Sequence, residues 1–299
     1  MCHSLRRIIA SLLLGCPLWG WTQPMHYIYP PPESGADVRL NYYWELLESA
    51  LVETSPKWGD FVVRPSTKPM NAGRAEMMLT ASNDISIMAR TTSIQREQAL
   101  RPIRIPLDKG LTGYRMFLIK SDTQSRADNV RTLEQLQALS IGQGATWVDT
   151  EILRSAGFTV ITSPTYDALL PMLDVNRFDL FSRGVNEISR EFEIGKTHYP
   201  KLAVETKILL YYPLPRYYFF SNTPQGERLA QRVEEGLQLL MKNGKFERHY
   251  QAYKKSILSG INLTGRRIFR LPNSQLPAAT PLADRELWDT LDTELKARP

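Results

Sequence analysis

The spacing of apolar residues changes period repeatedly along this chain. His26-Tyr27-Ile28-Tyr29 is a short run of strand formers, stopped by Pro30-Pro31-Pro32. Leu40, Tyr43, Trp44, Leu47, Ala50 and Leu51 recur at i, i+3, i+4, i+7, i+10 and i+11, which predicts an amphipathic helix. Phe61-Val62-Val63 reads as a second strand, 71–80 as a short helix carrying Ala75, Met78 and Leu79, and 84–88 as a third strand. The order is β-α-β-α-β.

Two extended segments follow, 103–107 and 114–119, with Gly110 and Gly113 between them. The alternation then starts again. Thr132 and Gln135 form a capping box for a short helix with Leu133, Leu136 and Leu139. Strands are predicted at 140–142, 158–162 and 178–181, separated by helices at 149–156, ended by Gly157, and at 166–175. A further helix is predicted at 185–192. Extended segments at 207–212 and 216–220 suggest a second crossing, and Thr223-Pro224 has the chemistry of a helix start. The last helix is predicted from Thr280-Pro281 onward, through Leu287, Trp288, Leu291 and Leu295. Alternating strands and helices predict mostly parallel sheets. Two units, each too short for a complete doubly wound domain, imply two lobes.

The stretch 84–96 carries the first chemistry. A strand runs into the hydroxyl-rich turn Ala89-Arg90-Thr91-Thr92-Ser93, and Arg96 follows on a helical segment. Open α/β sheets bind ligands at the C-terminal ends of their strands. An arginine there supplies a bidentate fork suited to a carboxylate. In the second unit, Gln143-Gly144-Ala145-Thr146 precedes a helix whose first amides suit an anion, with Trp147 and Asp149 beside it. Arg183 ends the 178–181 strand region, and two readings stay open for it: the cleft, or an ion pair with Glu187 one turn later.

Composition narrows the class. The 299 residues are 42% hydrophobic and 23% charged, with a formal charge of +6 spread along the chain. No basic stripe interleaved with aromatics points to nucleic acid. The four histidines are isolated, so neither a metal nor another cofactor is expected, and no nucleophile elbow is present. Arg6-Arg7 followed by the apolar run from Ile8 to Leu18 reads as a secretory signal over 1–22, with cleavage between about Gly20 and Gln23. Leu13-Leu14-Gly15-Cys16 also resembles a lipobox, so a lipidated N-terminus at Cys16 stands beside a free one. Both cysteines, Cys2 and Cys16, fall in this segment, and loss of Arg6 and Arg7 lowers the charge to +4. The mature chain is expected in the periplasm as a monomer.

Four motifs in order carry a resemblance covering about 27–257. They are Met88-Ala89-Arg90-Thr91-Thr92-Ser93-Ile94-Gln95-Arg96, the leucine-rich lead into Ile141-Gly142-Gln143-Gly144-Ala145-Thr146, Asn176-Arg177-Phe178-Asp179, and the helix closing on Asn243-Gly244-Lys245-Phe246. The chain resembles the type II periplasmic solute-binding proteins of family 3, which include the polar amino-acid binders. The resemblance implies a first lobe of 23–115 plus 213–299, a second of 116–212, and a hinge of two crossing segments. It implies a small-molecule ligand in the cleft, contacted by Arg96, Thr91, Ala89, Arg90, Thr146, Gly144, Trp147 and Arg183, and a membrane permease or sensor as partner. In amino-acid binders of this family an Asp following the Arg-x-Asp strand holds the ligand ammonium. Here that place reads Leu180-Phe181-Ser182-Arg183-Gly184, which favours a carboxylate-bearing ligand that is amino-acid-like or more anionic. The chain is read as a non-enzyme. Two other readings remain: an extracytoplasmic enzyme on the same fold, such as a lytic-transglycosylase-like protein, and a signalling module that needs no ligand.

Overall fold

The computed structural model describes residues 23–32 and 40–296, so the signal segment and Cys16 lie outside the described residues. In the first lobe, strand β1 (Met25–Tyr29) pairs in parallel with β2 (Phe61–Pro65) through helix α1 (Asn41–Trp58). Helix α2 (Ala72–Thr80) follows, then β3 (Met88–Thr91), α3 (Ile94–Ala99) and β4 (Leu100–Ile103). The third strand starts where the sequence reading ended it, so Ala89, Arg90 and Thr91 are strand and not turn. The preceding 84–88 remains tied to β1, with the Ser86 amide donating to the Ile28 carbonyl at 2.8 Å.

The second lobe opens with β5 (Tyr114–Lys120), followed by short helices α4 (Gln124–Asp128) and α5 (Leu133–Gln137). Thr132 and Gln135 form the capping box that their spacing predicts. Next come β6 (Ile141–Gly144), α6 (Val148–Ser155), β7 (Val160–Ser163), α7 (Leu169–Asp174), β8 (Leu180–Gly184) and α8 (Ile188–Gly195). Strands β6, β7 and β8 are mutually parallel around β6, as the alternation requires. Strand β9 (Leu202–Val204) and β10 (Ile208–Tyr211) run antiparallel to β5.

The chain then returns. Strand β11 (Arg216–Ser221) inserts between β3 and β4, antiparallel to both, and buries Tyr217, Tyr218, Phe219 and Phe220. Helix α9 (Pro224–Lys242) starts with Thr223 as N-cap and Pro224 in its first turn, and packs along α1. Helix α10 (Lys245–Ile257) follows a left-handed Gly244. Strand β12 (Arg267–Arg270) lies in the segment the sequence assigns to the first lobe, and it pairs in parallel with β10 in the second sheet. The helix expected after Thr280-Pro281 reduces to single turns, Arg285–Leu287 and α11 (Asp292–Leu295). Leu291 takes a left-handed conformation, with φ of 55°, so a continuous helix cannot pass through it.

Candidate functional site

Between the lobes lies a cavity of about 130 Å³. Its first-lobe wall is apolar, built by Trp44, Met70, Ala75 and Met88, with Pro30 to Pro32 at the mouth. Three prolines stop β1 because they cannot extend the ladder, so Tyr29 ends the strand and stacks on Trp44 with ring centroids 4.2 Å apart. The N-terminus of α2 also faces the cavity through Asn71 and Ala72. Asn71 caps that helix by accepting from the Arg74 amide at 2.9 Å. The other first-turn amides have no acceptor within the helix, which gives this end partial positive charge.

Charged groups converge on the same space. Arg216 begins β11, is 9% exposed, and donates from Nη1 to the Ala89 carbonyl at 3.2 Å. Its guanidinium carbon lies 5.0 Å from the Tyr43 ring centre. Its Nε is buried with no hydrogen-bond partner among the described residues. Burial opposes its charge, but Tyr43, Asp108 and Glu187 overcome that and raise its pKa. Arg90 joins it from β3. From the second lobe come Asn186, whose Oδ1 is buried without a hydrogen-bond partner among the described residues, and Glu187. Glu187 accepts from the Gly184 amide at 3.0 Å. Burial pushes its carboxyl up, yet Arg183 and Arg115 hold it down at about 2.

Of the residues singled out in the sequence, Ala89 and Arg90 line this cavity. Thr91 ends β3 opposite Arg216, and its carbonyl accepts from Arg96 Nη1. Arg96 is not among the lining residues. Its Nη2 lies 2.9 Å from Glu76 Oε2, and its guanidinium carbon lies 6.0 Å from the Phe219 ring centre. In the second lobe, Gly144 ends β6 and accepts from the Thr150 hydroxyl at 2.8 Å, while Thr146 is exposed in the following turn. Trp147 stands at the N-cap position of α6 and stacks on Phe181, with planes 15° apart. Arg183 is 3% exposed and pairs with both Glu187 and Glu191. Asp149, in the first turn of α6, is buried against Arg115 at 2.9 Å and accepts from the Tyr212 hydroxyl at 2.5 Å.

The sequence reading missed Arg216, Asn186 and Trp44 as cleft residues. A signal for Arg216 existed: it is the one cation opening an otherwise aromatic strand, just after Pro215. A buried cation at such a place needs counter-groups. Among the described residues no cluster of His, Cys, Asp and Glu could hold a metal ion, and no helix is long and apolar enough to cross a membrane.

No protein-family model matches the chain, and no curated protein matches its sequence. Solved structures match it in shape. An ancestral arginine-binding protein bound to arginine superposes with a TM-score of 0.51 at 14% identity, covering 77% of this chain and 97% of the other. A histidine kinase sensor domain with similarity to periplasmic binding proteins gives 0.51 at 16%, covering 77% and 96%. The arginine-, lysine-, histidine-binding protein ArtJ from the thermophilic bacterium Geobacillus stearothermophilus gives 0.51 at 14%, covering 77% and 95%. The chain therefore has the two-lobed α/β fold of the periplasmic binding proteins.

Proposed function

We propose that this protein captures a small carboxylate-bearing solute in the cleft between its lobes and serves a membrane permease or a sensor outside the cytoplasm. The observation that carries the reading is Arg216. A buried guanidinium whose Nε has no partner among the described residues, beside Arg90 and the start of α2, is a prepared site for an anion. The apolar wall of Trp44, Met70 and Met88 suits a short hydrocarbon flank on that anion.

Arg216 and Arg90 take the carboxylate in this reading. Glu187 and Asn186 approach from the second lobe and meet a donor group of the ligand, an ammonium or a hydroxyl. A ligand touching both lobes favours the closed arrangement, and that difference in affinity drives closure. Arg96 and Thr91 hold the strand end in place, and Arg183 pairs with Glu187 and so positions it at the cleft. Export to the periplasm rests on the N-terminal segment alone. The shared fold includes amino-acid binders and a sensor domain, which fits either kind of partner.

Thermal-shift screening of small carboxylates and amino acids tests the proposal, because a true ligand raises the midpoint by mass action. At least one compound should shift the wild type and lose that effect in Arg216→Gln. Binding that survives Arg216→Gln unchanged, or a panel without a single shift, would overturn it.

A further inference from the structure

In the second lobe one buried arginine is enclosed by two carboxylates and three aromatic rings. Arg183 projects from β8, and Glu191 accepts from its Nε at 2.5 Å and from its Nη2 at 2.6 Å. Glu187 lies 3.2 Å from the same Nη2. Three rings close around the guanidinium carbon: Trp147 at 4.7 Å, Phe181 at 5.2 Å and Tyr166 at 5.6 Å. A two-point carboxylate, a second carboxylate and aromatic faces together match a planar, delocalised cation better than a compact ammonium.

The place of this box matters. It stands at the C-terminal ends of β6 and β8, and Glu187 belongs to both the box and the cleft. All five of its walls come from the second lobe, so it needs no closure to form. Trp147 is half-buried and Tyr166 is exposed, which leaves one side near solvent. An occupant tethered by β8 has an effective concentration that free solutes do not match.

We infer that Arg183 is a built-in occupant of a guanidinium receptor, and that by filling it the chain excludes ligands whose far end carries a guanidinium. Occupancy stands on the geometry alone. The exclusion clause rests on the cleft being the ligand site. With Arg183 removed, Glu191 would lose its two-point partner and Glu187 would keep Arg115 as its nearest cation, and the second lobe would accept an alkylguanidinium.

The test is Arg183→Ala with methylguanidinium as the probe. The variant should melt several degrees below the wild type. Millimolar methylguanidinium should restore most of that loss saturably, methylammonium at equal ionic strength should not, and the wild type should respond to neither. Failure of rescue, equal rescue by methylammonium, or an equal response of the wild type would overturn the inference. If Arg183→Ala does not fold even with the probe, the wild type decides. Its Arg183 Nε proton should exchange with water far more slowly than that of free arginine, and Trp147→Ala should speed it. Exchange at the free-arginine rate overturns the receptor. A purely structural ion pair would give slow exchange but no rescue selective for guanidinium. None of these arms uses a carboxylate ligand, so their failure is separate from failure of the cleft reading.

Discussion

Arg96 and Glu76 close on each other inside the first lobe, with Nη2 2.9 Å and Nε 3.2 Å from the same carboxylate oxygen. The pair joins α3 to α2, and Arg96 also donates to the Thr91 carbonyl at the end of β3. Arg216, by contrast, lines the cavity, and its Nε has no hydrogen-bond partner among the described residues. Arg96→Lys should therefore cost about 1 kcal/mol of stability, as for a partly exposed pair, and change ligand affinity little. Arg216→Lys should weaken the best carboxylate by about a hundredfold through loss of the fork. Calorimetric titration of both variants checks this. Equal losses of affinity would return Arg96 to the site.

Local rules were legible in the sequence, and long-range ones were not. Thr132 with Gln135, and Thr223 with Pro224, cap the helices that their spacing predicts. Gly157 and Gly244 take the left-handed φ values of 82° and 74° that suit helix ends. Strand β3 was misplaced because its partner is Tyr218 on β11, far along the chain, and that pairing makes strand of a segment that reads locally as a turn. The last helix failed for a similar reason. Asp289 is held by Lys254 and Tyr250 of α10, which fixes the tail segment by segment. The candidate site was half legible: Ala89 and Arg90 stood in a recognisable stretch, while their meeting with Arg216 and Glu187 depends on a chain return that no spacing encodes.

Gly113 sets the spacing of the two crossings. Its carbonyl accepts from the Tyr212 amide at 3.2 Å, and a Cβ at this position would fall far inside contact distance of the Tyr212 carbonyl oxygen. Because backbone stands opposite, nothing can rotate away. Gly113→Ala should cost about 3 kcal/mol in urea unfolding. Gly73→Ala is the control. It lies in α2 with only Asn71 Oδ1 near, at 3.8 Å, and should stabilise by about 0.5 kcal/mol. Similar costs for the two would show that the crossings yield.

Glu187 gives the protein an acid limb. Burial raises its carboxyl, but Arg183, Arg115 and the Gly184 amide hold it at about 2, below the ordinary 4.5. A carboxyl depressed in the folded state contributes fully above about pH 4.5, and its contribution is lost as pH falls toward 2. Glu191 goes the other way: burial raises it in spite of Arg183. Wild type should exceed Glu187→Gln by up to about 3 kcal/mol near neutrality, with the gap closing between pH 4.5 and 2. Glu191→Gln should show no such closing in that window. Urea unfolding across pH measures both, and a gap for Glu187→Gln that stays constant through the window would refute the assignment.

The tail ties the lobes together outside the two crossings. Strand β12 adds to β10, and Phe269 and Leu271 enter the second-lobe core. The chain then runs back: the Gln275 carbonyl accepts from the Ile94 amide at 3.0 Å, and the Asp289 amide donates to Lys109 at 2.8 Å. Trp288 covers Gly110, at the first crossing. Any rotation of one lobe against the other must stretch or slide this strap, so it should limit how far the cleft closes. Phe269→Ser removes the strap's apolar anchor while leaving both crossings intact, at a cost of about 3 kcal/mol. Its radius of gyration should then fall more on ligand addition than that of the wild type, measured by small-angle scattering with the best carboxylate from screening. Equal changes in the two proteins would mean that the strap follows the lobes without restraining them.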